Sequence, residues 1–468
     1  MVEQTWHEAR LIPVSGINGA EEQERRATSA LLAVMGAVRE FGRALTQPLG
    51  APAGHLETYI EVPFTLDDRN LRPDGLIRAS RGSKSWAALV EVKTGNNLLT
   101  REQIEAYLDV AKDQGFDAVL TISNEIPALA GQHPTPVDKR KLRKVSLYHY
   151  SWSQVLAEAV MQKEHRGVAD PDQAWILGEL IRYLEYRGSG ALQFNDMGAA
   201  WVETRNAVVA GTLRQTDPGL ADVAAKWDAL IRYISLQLGR RLGAEVIPAL
   251  SRKELSDPST RSSIVCKELC DSASMSAAIR VPKAIGDIVV RVDLRSRQVT
   301  CHVDVDAPQS GRPVTRVNWL ARQLAGASDN LRVEAFVKNG RGSSSAELLG
   351  SLRTDPSLLV VDPAREFKTF RVAATSALGD KRGSGRGSFI DSVHDAVDAF
   401  YVDVMQGLKA WRAAPPAMRD TPADEAAGTA LSSTALSSQD EPTSGFEARP
   451  SDSSSTDPSE ADSEMTWV

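Results

Sequence analysis

From Trp86 to Val92 the chain reads Trp-Ala-Ala-Leu-Val-Glu-Val, and Lys93 follows. A stretch that is apolar at consecutive positions and bounded by turn residues reads as a strand buried on both faces. Such a strand needs covering layers on its two sides, which points to a layered α/β fold.

The flanking sequence supplies those layers. Glu21 to Arg43 carries Leu31, Leu32, Met35 and Val38 at helical spacing. Strands are expected over Glu57–Phe64 and Leu71–Ala79, separated by a turn at Asp67, Asp68 and Asn70. After the Trp86–Lys93 strand, Thr100 and Gln103 form a capping-box pattern that opens a helix reaching Asp113. Phe116–Ser123 and Val145–Tyr150 read as two further strands. Residues 11–160 therefore read as one α/β domain. Residues 161–250 read as helices only, over 172–187, 197–213 and 219–243.

Residues 251–411 return to a mixed pattern and read as a second α/β domain. Its strands are expected at Ser276–Val281, Asp287–Leu294, Val299–Val305, Leu331–Val337, Leu358–Val361 and Phe370–Thr375, with helices over Thr315–Ala325 and Phe389–Trp411. Residues 412–468 are rich in Ser, Pro, Asp and Glu without apolar periodicity, so a disordered tail is expected.

Charge follows this division. The chain carries 54 basic and 61 acidic residues, net −7, but 11 acids and 3 bases lie in the tail alone, so the remainder is close to neutral. An acidic global balance does not exclude nucleic acid, because local fields decide such contacts. Three cysteines, Cys266, Cys270 and Cys301, exclude a disulfide framework and read as small apolar residues. Met1–Arg10 shows no secretory signal, and no apolar stretch is long enough to span a bilayer, so a cytoplasmic protein without a membrane partner is expected.

The chemistry lies in the first domain. Asp74 stands in the second expected strand, and Glu91 and Lys93 end the third on one face. If those strands pair as a hairpin, Asp74 sits beside Glu91. Two converging carboxylates repel unless a hard cation such as Mg²⁺ or Mn²⁺ joins them, with a backbone carbonyl, here Val92, as a further ligand. Lys93 can then orient an attacking water and offset phosphate charge, the equipment for metal-assisted phosphodiester hydrolysis. Arg72 and Arg78 flank Asp74 and read equally well as phosphate ligands or as surface charge. Lys139, Arg140, Lys141, Arg143 and Lys144 form a basic run beside a strand edge, suited to phosphate contact or to blocking edge pairing.

Pro73-Asp74, sixteen residues, then Glu91-Val92-Lys93, within the order helix, three strands, helix, strand, resembles the PD-(D/E)XK nuclease superfamily and its restriction-endonuclease-like core. Gln103 and Tyr107 are similar to the QxxxY motif of its RecB-like members. The resemblance covers residues 11–155. It implies a Mg²⁺-dependent nuclease, with DNA preferred to RNA. It also implies catalytic support from Gln103 and Tyr107, and an acid on the first helix, either Glu21 or Glu24. The alternative is a catalytically silent nuclease-fold protein that binds nucleic acid or a protein. The helical region and the C-terminal domain, with its basic glycine-rich loop Gly379–Ser388, would serve substrate choice or a protein partner.

Overall fold

The computed structural model describes residues 10–13, 19–127 and 131–413, and the expected tail beyond Ala413 lies outside them. The first layer is helical. Helix α1 (Ala20–Ala37) buries Leu31, Leu32, Val34 and Met35, and α2 (Arg39–Thr46) buries Phe41 and Leu45. The expected single helix over this span is broken at Val38, whose backbone is extended at φ −100°, ψ 94°. The break folds α2 back until Gly42 lies against the Met35 carbonyl, so close that a Cβ would stand 2.2 Å from it.

A five-stranded sheet lies beneath. Its strands are β1 (His55–Ile60), β4 (Gly75–Arg81), β5 (Lys84–Val92), β6 (Ala118–Ser123) and β7 (Ser146–Ser151), in that spatial order. Between β1 and β4 a small hairpin intervenes, β2 (Phe64–Leu66) and β3 (Arg69–Leu71), which the sequence reading held as a turn alone. Asp67 and Asp68 carry its tight turn at φ 48° and 59°. β1, β4 and β5 are antiparallel neighbours, whereas β6 and β7 run parallel to β5. Helix α3 (Arg101–Asp113) makes the crossover from β5 to β6 and buries Ile104, Tyr107, Leu108 and Val110 on the opposite face from α1.

β5 is thus covered on both sides, as its apolar run requires. Val90 and Val92 join the α1 core while Leu89 joins the α3 core. Full burial of each such side chain is worth about 1.5–3 kcal/mol, so the pattern holds the strand in one register.

The helical block is shared between two cores. After β7, α4 (Trp152–Val160) and α5 (Pro171–Glu185) join the α1 core, α5 against α1 itself and α4 against α2 and α5, contributing Trp152, Leu177, Leu180 and Tyr183. Helices α6 (Trp201–Ala210) and α7 (Leu220–Leu242) instead supply Trp201, Trp227, Leu230 and Ile234 to the second core. Composition had grouped these helices because all carry the same apolar stripe; which sheet each stripe meets is a tertiary matter.

The second core sits on a seven-stranded antiparallel sheet. In chain order come β8 (Ile247–Pro248), α8 (Arg252–Ser256), α9 (Pro258–Ser272), β9 (Ser274–Arg280), β10 (Ile288–Asp293), β11 (Gln298–Asp306), α10 (Pro313–Gln323), β12 (Arg332–Val337), β13 (Ser345–Leu348), α11 (Leu349–Thr354), β14 (Phe367–Ala377) and α12 (Phe389–Phe400). The spatial order is β13-β12-β14-β11-β10-β9-β8. Strict alternation marks β11, where Val299, Cys301, Val303 and Val305 are buried and their neighbours face away.

Two expectations in this region fail. Leu358–Val361 is no strand, because Asp355 and Pro356 start a short 3-10 turn that ends at Leu359. Helix α12 stops at Phe400 as an α-helix and continues only as a π-turn to Met405, well short of Trp411. The loop Gly379–Ser388 is closed by local groups: Lys381 Nζ donates to the Arg386 carbonyl, the Gly385 amide donates to the Asp391 carboxylate, and the Ser388 hydroxyl caps α12 by accepting the Asp391 amide. Cys266, Cys270 and Cys301 are all free thiols packed in or against the core. Among the described residues no helix is long and apolar enough to cross a membrane.

Candidate metal centre

Pro73 ends the approach to β4, and Asp74 stands at a bend just before the strand rather than inside it. The register Gly75↔Val90 places Asp74 opposite Glu91 across the β4–β5 pair. Asp74 Oδ2 accepts the Val92 amide at 2.7 Å, which fixes the carboxylate against the end of β5. Gly75 beside it is closely packed: a Cβ there would lie 2.4 Å from the terminal Leu32 Cδ1 and 3.1 Å from the Tyr59 carbonyl oxygen. Helix α1 packs over β1 and β4 and carries Glu24 to the cluster.

Lys93 is held by its backbone before its side chain does anything. Its N–H donates to the Ile122 carbonyl at 2.7 Å, continuing the parallel ladder, and its own carbonyl accepts the buried Trp152 indole N–H at 2.9 Å. From this anchor Nζ reaches Glu91 Oε1 at 2.6 Å and Glu24 Oε1 at 2.8 Å. One oxygen from each of Glu24, Asp74 and Glu91 lies within 4.8 Å of the other two.

Helix α3 closes the other side. Thr100 caps it, and Gln103 in its first turn donates from Nε2 to Glu91 Oε1 at 2.6 Å. One turn on, the Tyr107 hydroxyl donates to the Arg72 carbonyl at 3.3 Å. Gln103 therefore steadies the glutamate strand, while Tyr107 steadies the segment that leads into Asp74.

Burial sets the electrostatics. Glu91 is 1% exposed. Loss of solvent, then the Asp74 carboxylate, push its pKa up to about 8 against the pull of Lys93. Asp74 is also raised by burial, partly countered by the Val92 amide. Burial would depress Lys93, but the Glu91 and Glu24 carboxylates outweigh it and hold the ammonium firmly protonated. Tyr107 is raised by burial and by Glu91, so it stays a neutral phenol. Three acids thus face one ammonium. Glu91 Oε2 is buried without any hydrogen-bond partner, a costly state for a polar oxygen that the raised pKa relieves only in part by protonation. An all-oxygen donor set with surplus negative charge and an orphan lone pair fits a hard divalent cation.

No protein-family profile, no curated protein and no solved structure matches this chain. The site is therefore read from its own geometry.

Of the two first-helix acids, Glu24 joins the cluster. Glu21 lies one turn out, 88% exposed at its side chain, and pairs with Arg25 at 3.2 Å. A small cleft of about 90 Å³, bounded by Glu21, Glu24, Thr28, Glu61 and Asp74, opens beside the cluster. Arg72 stands at this mouth, donating to Glu61 Oε2 at 2.8 Å. Arg78 does not converge: it is four residues along β4, about 13 Å away, over the Tyr59 ring.

The basic run lies elsewhere as well. Lys139, Arg140, Arg143 and Lys144 are exposed before β7, and Lys141 Nζ holds Asp109 at 2.6 Å. Asp109 is six residues beyond Gln103, about 9 Å along α3, so this patch flanks the end of the sheet remote from the acids.

Two contributors escaped the sequence reading. Asn97 Nδ2 donates to Glu24 Oε2 at 3.4 Å from the loop after Lys93. Asn124 ties that loop down, donating to the Gly95 carbonyl at 2.9 Å and to the Gly190 carbonyl at 2.7 Å. An asparagine after a strand reads as an ordinary turn residue, and nothing local distinguishes these two.

Proposed function

We propose that this chain is a divalent-metal-dependent nuclease of the PD-(D/E)XK kind, hydrolysing phosphodiester bonds in nucleic acid, DNA in preference to RNA, in the cytoplasm. The observation that carries this reading is the convergence of Glu24, Asp74 and Glu91 around a lysine ammonium, with one buried glutamate oxygen left unpartnered. The element order supports it: a helix, an antiparallel three-strand set, a crossover helix and a strand parallel to the last.

Asp74, Glu91 and the Val92 carbonyl would hold Mg²⁺ or Mn²⁺, with Glu24 beside them. When bound, the ion would supply charge neutralisation for the scissile phosphate and lower the pKa of water. The chain's own residues do the rest. Lys93 Nζ donates to the attacking water and balances charge that develops on the phosphoryl oxygens. Gln103 fixes the rotamer of Glu91, and Tyr107 fixes the approach to Asp74. Arg25 and Arg72, both paired with Glu61 beside the cleft, would exchange that carboxylate for the flanking phosphates.

The test is Mg²⁺-dependent cleavage of end-labelled single-stranded DNA, duplex DNA and RNA by the full chain. Wild type should cut in Mg²⁺ and stop in EDTA, while Asp74→Ala and Lys93→Ala should lose at least a hundredfold in rate. Equal cleavage by wild type and both variants, or Mg²⁺ binding to wild type without any cleavage, would overturn the assignment; the latter result is that of a silent nuclease-fold protein.

A further inference from the structure

A cavity of about 600 Å³ lies along the free edge of β7, between that strand and α7 of the second core. It shares no residue with the acidic cluster. Its size is that of a small-molecule or cofactor site, roughly 300–1,000 Å³. Tyr148 and Tyr150, which share one face of β7, contribute to one wall, and α4 and α7 line the other, while the His149 ring turns the opposite way to Thr121 and the Glu125 carbonyl.

The chemistry of the cavity is set by Arg232. Its guanidinium donates only to neutral oxygens, the Pro127 carbonyl at 3.1 Å and Gln154 Oε1 at 3.2 Å. Among the described residues no carboxylate pairs with it, unlike the two arginines at the rim: Arg166 is paired with Glu158 and Arg240 with Glu185. Burial lowers the Arg232 pKa to about 10, and no anion restores it. Beside it His149, also depressed by burial, to about 3, stays neutral. A partly buried guanidinium that meets only neutral oxygens in a concave site keeps donors for an anion, and its planar fork suits phosphate. Flat rings next to that fork, with the Gln154 amide at hand, suit a heteroaromatic base.

We propose that this cavity is a second, non-catalytic site for a nucleoside monophosphate, its phosphate on Arg232 and its base against the Tyr148–Tyr150 wall. The site stands apart from the nuclease reading and does not depend on it.

The experiment is isothermal titration of the full chain with AMP, GMP, CMP and UMP in EDTA, which keeps divalent ions out. At least one nucleotide should bind with micromolar affinity. Asp74→Ala should bind it within twofold of wild type, whereas Arg232→Met should weaken it at least tenfold. Ala157→Leu, which fills the α4 wall without touching the arginine, should do the same. The corresponding nucleoside, inorganic phosphate and indole-3-carboxylate should each bind at least tenfold more weakly. Hydrogen exchange on wild type gives a readout that needs no variant: the nucleotide should protect amides of β7 and of residues 232–239.

The proposal is overturned if none of the four nucleotides binds below millimolar, or if a control ligand matches the best nucleotide. It also fails if either Arg232→Met or Ala157→Leu binds normally, or if protection falls on α1 and β5 instead. That last pattern, with loss of binding in Asp74→Ala, would point to the acidic cluster and leave the nuclease reading standing.

Discussion

Without a divalent cation, the acidic cluster should destabilise the fold, and Asp74→Asn should reveal by how much. Two carboxylate charges within 4.8 Å repel by about 3 kcal/mol or more at an effective dielectric constant near 20. Lys93, 2.6 Å from Glu91, offsets part of this, so a net release of about 1–3 kcal/mol is expected. The asparagine keeps an oxygen for the Val92 amide, so the anchor at 2.7 Å survives. The gain must depend on pH. The folded Glu91 titrates at about 8 instead of 4.5. A raised carboxyl contributes stability that is fully present below the unfolded value and is lost as pH rises through the folded one. Asp74→Asn should therefore stabilise little at pH 5 and most at pH 9. Urea unfolding in EDTA at those pH values measures it. In thermal melts each kcal/mol should move the midpoint by about 2–4 °C. In millimolar Mg²⁺ the order should reverse, because wild type gains stability by binding and the variant does not. A variant less stable than wild type in EDTA at pH 9 would refute the electrostatic account, since the cluster would then be held together by something other than an absent cation.

Other perturbations test the supporting structure. Gln103→Ala removes the 2.6 Å bond to Glu91; bonds of this kind are worth about 1.5–3 kcal/mol, so Mg²⁺-dependent cleavage should fall roughly 10- to 100-fold while calorimetric Mg²⁺ binding persists. Gly75→Ala forces a Cβ to within 2.4 Å of Leu32 and should cost about 1–3 kcal/mol in urea unfolding. His149, held neutral with a pKa near 3, contributes stability that is present above pH 6.5 and drains away as pH falls toward 3. Wild type should therefore lose about 2 kcal/mol between pH 7 and pH 5 from this group, and His149→Gln should lose correspondingly less over the same interval. In the second core Asp228 grips Arg261 at 2.8 Å with both side chains buried, so Asp228→Ala should cost about 3–5 kcal/mol by equilibrium unfolding.

The β5 strand was legible because its signal is local: consecutive apolar residues demand two covering layers, and α1 and α3 provide them. The strands β1, β6 and β7 and the helices α3, α5 and α7 lie within a few residues of their periodicity. What sequence could not supply was long-range choice. Nothing in the stripe of α5 says that Leu177 and Tyr183 meet α1, while the similar stripe of α7 meets the second sheet. The break at Val38 comes two residues after Gly36 and folds α2 back until Gly42 meets the Met35 carbonyl, a contact that the helical spacing alone does not reveal.

At the acidic cluster the division is sharper. Asp74, Glu91, Lys93, Gln103 and Tyr107 could be named because strand and helix periods fix which neighbours share a face. Glu24 and Glu21 could not be separated that way. They are three positions apart on one helix, and the choice belongs to the depth at which α1 rests on β4. That depth belongs to the packing of α1 on β1 and β4, in which Leu32 lies over Gly75. Where α1 rests, Glu24 Oε1 lies 2.8 Å from Lys93 Nζ and Glu91 Oε1 lies 2.6 Å from it, so the single ammonium is shared between two acids.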